Sequence, residues 1–67
     1  MAILKDLFEK NKKEQEAKKL VHFGTEQINL YTITGDPADL EQGMKKLEQA
    51  AKICREYGIK ASRVFGE

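Results

Sequence analysis

Proline occurs once in this chain, at Pro37, directly behind Gly35 and Asp36. That triplet divides the sequence into two stretches, and each carries apolar residues at three- and four-residue steps. Asp36 reads as an N-cap, Pro37 as a first helical residue and Asp39 as the acid of a capping box. Leu40, Gly43, Met44, Leu47, Ala50, Cys54 and Tyr57 then form one helical stripe. Gly58 supplies a left-handed C-cap and Ile59 the apolar contact that follows it. The spacing predicts a helix over about residues 37–57.

The stretch before Gly35 admits two readings. Tyr31-Thr32-Ile33-Thr34 is β-branched and aromatic, so strands over about 20–23, 28–34 and 59–65 would make an αββαβ two-layer α+β fold. Alternation is poor, however: Ile28 and Leu30 share one face, Tyr31 and Ile33 the other. At about 100° per residue, Ala17, Leu20, Val21, Gly24, Ile28 and Tyr31 fall instead on one narrow stripe. Folding two helices antiparallel about Gly35-Asp36 brings the stripes level. Tyr31 then meets Leu40, Ile28 meets Gly43, Gly24 meets Leu47, and Ala17 meets Cys54. Large residues oppose small ones, as interdigitated packing requires. Leu at Gly24 or Gly43 should therefore overpack the seam, whereas Gly43→Ala leaves room for a gain in helix propensity. The segment "LYTITGDPADLE" also resembles the inter-helix turn of α-hairpin repeat and α/α-barrel proteins. That resemblance is confined to one turn and implies a local shape without an activity.

The expected fold is all-α: an antiparallel helical hairpin of about 12–34 and 37–57, with a short N-terminal helix, together a small three-helix bundle. Ile3, Leu4, Leu7 and Phe8 make an apolar patch; either a turn near Asn11 folds it over Leu20, Phe23, Ala50, Ile53 and Tyr57, the version preferred here, or one long helix carries it away from the hairpin. Residues 1–67 form a single small domain on this reading.

Composition narrows the chemistry. Twelve Lys and Arg face eleven Asp and Glu, for a net charge of +1, so no basic excess marks a nucleic-acid surface. One cysteine and one histidine supply neither an internal disulfide nor a four-ligand zinc site. The charged N-terminal stretch lacks the pattern of a signal peptide or a membrane span, and a cytoplasmic setting is expected. Gly35 precedes a helix N-terminus, but Asp36 and Asp39 place negative charge where a phosphate would sit. His22 falls on the polar helix face and Cys54 on the apolar one, so they make no nucleophile–base pair. Glu-before-Lys pairs at i, i+4, such as Glu14 with Lys18 and Glu41 with Lys45, read as helix support. No cofactor, metal or catalytic set is expected.

What remains is apolar surface. A chain this short, without disulfide or metal, is marginal on its own core. The sequence therefore predicts a non-enzymatic protein-protein interaction module, a small self-associating regulator, inhibitor or assembly factor. Its contact residues would be Leu4, Phe8, Leu30, Ile33, Val64 and Phe65, and a homo-oligomer is expected. The alternative is a nucleic-acid or nucleotide/phosphate binder using Lys10, Lys12, Lys13, Lys18 and Lys19.

Overall fold

The computed structural model describes the backbone of residues 2–66 and the side chains of residues 7–66. The fold is an all-α hairpin. Helix α1 spans Ala2–Thr34, α2 spans Pro37–Tyr57, and a short α3 spans Ala61–Phe65. No strand occurs among the described residues.

The turn is built as its chemistry dictates. Gly35 takes a left-handed φ of 70° and its N–H donates to the Tyr31 carbonyl at 2.7 Å, ending α1. The Asp36 carboxylate accepts from the Ala38 N–H at 3.0 Å. Asp39 does not close the capping box on the Asp36 N–H; it accepts from the Thr34 hydroxyl at 2.9 Å. That same hydroxyl oxygen accepts from the Asp36 N–H at 3.2 Å, so the box is relayed through a threonine. The β-branched run ends up helical because Tyr31 lies on the seam, and packing overrides a propensity deficit of tenths of a kcal/mol per residue. At the far end of α2, Gly58 is left-handed and the Ile59 N–H donates to the Cys54 carbonyl at 2.9 Å. Ile59 and Cys54 are both buried there, completing a Schellman cap with its apolar contact.

The seam has the expected register. A Cβ added to Gly24 would lie 3.1 Å from Leu47 Cγ, and one added to Gly43 would lie 2.7 Å from Ile28 Cγ1. Ala17, Ala50 and Cys54 are buried together, with Val21 packed against them.

Two features differ from the sequence reading. First, the N-terminal helix does not fold back: α1 is continuous, and no turn forms at Asn11. Asn in a helix costs only a few tenths of a kcal/mol, and the flanking Glu, Lys and Gln residues are good helix formers. Lys13 pairs with Glu16 at 3.3 Å, adding local support. Second, the third helix comes from the C-terminus. Val64 of α3 is buried with Ile59, Ala17 and Cys54, capping the base of the hairpin. Lys13 Nζ stands 5.9 Å from the Tyr57 ring centroid, so α2 ends level with residue 13. The preceding residues of α1 extend about 16 Å farther at 1.5 Å per residue. The chain is accordingly a rod, 50 Å in its longest dimension.

Candidate protein-binding surface

The apolar core is thin. Ala17, Ala50, Cys54, Ile59 and Val64 are its buried members, and no large side chain among the described residues is fully buried. Several large apolar side chains lie outside. Ile33 is 83% exposed and Phe8 74%, with Leu7, Phe23, Leu30, Met44 and Phe65 also exposed. At 100° per residue, Phe8, Phe23, Leu30 and Ile33 fall within one arc of about 80° on the side of α1 opposite the seam. An amphipathic helix of a finished globule turns such an arc inward.

The predicted contact residues divide accordingly. Phe8, Leu30, Ile33 and Phe65 are exposed. Val64 corrects the expectation: it is 7% exposed and belongs to the chain's own core, because α3 docks through it. The side chain of Leu4 lies outside the described residues. Phe23 joins the exposed set because the first helix, which was to cover it, runs straight on. Its signal was in the sequence, three- and four-residue steps from Phe8 through Phe23 to Leu30, but only for a continuous helix.

The five lysines are not gathered into a patch. Helical geometry points Lys10, Lys12, Lys13, Lys18 and Lys19 around the whole circumference of α1. Lys13 is held by Glu16, and Lys18 Nζ lies 3.6 Å from Glu14. The hydrogen-bonded Glu16 carboxylate raises the Lys13 pKa above its ordinary 10.5, with Tyr57 and Glu56 adding smaller electrostatic contributions against slight desolvation.

Glu14 is the one buried charged residue described, at 6% exposure. Arg63 reaches it from α3 with Nε 3.0 Å from Oε1 and Nη2 3.3 Å from Oε2. This fork ties α3 to α1 and satisfies the carboxylate. His22 is exposed and pairs with Glu26 at 3.1 Å. Cys54 is buried among apolar groups on the seam, whereas His22 is on the exposed face of α1. No group of three or more His, Cys, Asp or Glu able to hold a metal is found among the described residues, and none of their helices is long and apolar enough to cross a membrane. No family model, curated protein or solved structure matches the chain.

Proposed function

We propose that this chain is a small, non-enzymatic protein-binding module, a regulator, inhibitor or assembly factor whose contact surface is the outward face of α1. One observation carries the reading: among the described residues no large side chain is completely buried, yet Phe8, Phe23, Leu30 and Ile33 are presented on a single face. Apolar groups clustered this way gain about 25 cal/mol for each Å² that a partner covers. The overhanging turns of α1 lend themselves to such a contact, since α2 does not reach them. A photo-crosslinking residue placed at Phe8 or Ile33 in the native host tests this. Discrete protein adducts are expected at both positions, none from Glu41 on the far side of α2, and loss of the adducts with Leu30→Glu. Absence of any adduct at Phe8 and Ile33 would overturn the reading.

A further inference from the structure

The outward face of α1 is palindromic. Beginning at Phe8 it runs Lys12, Gln15, Lys19, Phe23, Glu26 and Leu30, all exposed, at steps of 4, 3, 4, 4, 3 and 4 residues. These steps keep one helix face throughout. They also read the same in both directions about Lys19, and at two of the three pairs the chemistry follows the spacing. Phe8 and Leu30 are equidistant from Lys19, and so are Lys12 and Glu26, an apolar pair enclosing a pair of opposite charge. We infer that the occupant of this face is a second copy of the chain, docked antiparallel through α1 with a two-fold axis at Lys19. This inference rests on the binding reading above and specifies the partner.

An isologous contact requires a surface complementary to itself after a half-turn. Here the half-turn sets Phe8 of each copy against Leu30 of the other, with Ile33 one turn beyond, and Lys12 against Glu26. Gln15 falls opposite Phe23. Glu26 Oε1 lies 3.1 Å from His22 Nε2 within its own chain, and in the dimer Lys12 meets the carboxylate from across the interface. The area agrees. The chain exposes 5270 Å², whereas a compact monomer of its mass exposes about 4,300 Å². The difference is close to the roughly 800 Å² that each partner contributes to an ordinary specific interface. A net charge of +1 opposes self-association only weakly. Two elements are unfavourable: Lys19, which meets its own copy on the axis, and Gln15, which sets a polar amide against Phe23.

Sedimentation equilibrium at micromolar concentration should show a dimer. Phe8→Glu removes two symmetry-related contacts and should weaken it on the order of a hundredfold while helix content persists. Lys12→Glu and Glu26→Lys should each weaken it, and their combination should restore it. Lys19→Leu should tighten it. Mild oxidation then reads the register. Lys19→Cys should form an intermolecular disulfide readily, because the two copies of residue 19 face each other. Lys12→Cys should not, since antiparallel pairing separates its two copies by about 21 Å along the axis. A monomer at every concentration, or equal crosslinking at the two positions, would overturn the antiparallel dimer. The binding reading itself falls only if the photo-crosslinker captures nothing.

Discussion

Gly24 and Gly43 face each other across the hairpin seam, each lying against the other's carbonyl oxygen. A Cβ on Gly24 would sit 2.9 Å from the Gly43 oxygen, and one on Gly43 would sit 2.8 Å from the Gly24 oxygen. Real Cβ atoms do not approach backbone so closely, and neither oxygen can move without shifting a helix. The gain in helix propensity on replacing either glycine, about 1 kcal/mol, is therefore opposed by separation of the helices. Gly43→Ala, which the sequence left open as a gain, should be destabilising. We expect a net loss of about 1 kcal/mol for alanine at either position and 3 kcal/mol or more for leucine, measured by urea denaturation. Equal or improved stability for both alanine variants would contradict the reciprocal approach.

A second prediction concerns the fork between Glu14 and Arg63. Arg63→Ala leaves a buried carboxylate with only Lys18 at 3.6 Å, and detaches the helix that carries Val64. Arg63 is itself largely exposed, so the ion pair is screened and the expected loss is modest, about 1–2 kcal/mol. Glu14→Leu removes the charge along with its partner's role and should cost less, because a buried pair replaced by apolar atoms is often near neutral. Hydrogen exchange at Ile59 and Arg63 should rise more in Arg63→Ala than in Glu14→Leu.

How much of this was legible follows the range of the interactions. Helix α2 could be read because Asp36, Pro37 and Gly58 are local signals whose meaning does not depend on the rest of the chain. The register followed from it, since Gly24 opposite Leu47 and Ile28 opposite Gly43 leave little choice of alignment. The fate of Asn11 was not local. A turn there depends on whether the patch around Phe8 gains more by covering Phe23 than an uninterrupted helix gains through its own hydrogen bonds. Arg63 and Glu14 are 49 residues apart, and nothing around either signals the other. The outward apolar face became visible only once α1 was continuous, because a turn would have put Phe8 and Leu30 on separate elements.

The turn supplies a third prediction. Gly35 has a φ of 70° with nothing within 4 Å of an added Cβ, so a substitution there meets backbone strain and no steric clash. Gly35→Ala should cost about 1 kcal/mol, and Gly35→Asn less, since asparagine tolerates the left-handed region. Asp36→Ala should cost about 1 kcal/mol by leaving the Ala38 N–H without its acceptor. Thermal denaturation of the three variants under one set of conditions gives the order.

Lys13 gives a fourth, with a defined sign. Its folded pKa is raised above 10.5 by Glu16. The contribution to stability is therefore fully present below 10.5 and is lost as pH rises through the folded value. Titration of the Lys13 ammonium by NMR should show the elevated pKa, and Glu16→Gln should lower it. No change in Glu16→Gln would place the cause elsewhere.

The last prediction separates the two ends of α1. From Lys13 onward α1 packs on α2 or α3, whereas Glu9, Lys10, Asn11 and Lys12 precede the level at which α2 ends, and Lys10 and Asn11 border only Arg63 and the loop before α3. A helical segment this sparsely supported is marginal in water, because each turn must hold itself against chain entropy. In a monomeric variant such as Phe8→Glu, the amides of these four residues should exchange rapidly, while those of Ala17 and Val21 stay protected by the core. In the unsubstituted chain the same four amides lie between Phe8 and the two-fold axis, where the second copy's Leu30 and Glu26 cover them. Their protection should therefore rise with protein concentration, and that of Ala17 much less. Concentration-independent exchange throughout α1 would show that no second copy covers its first turns.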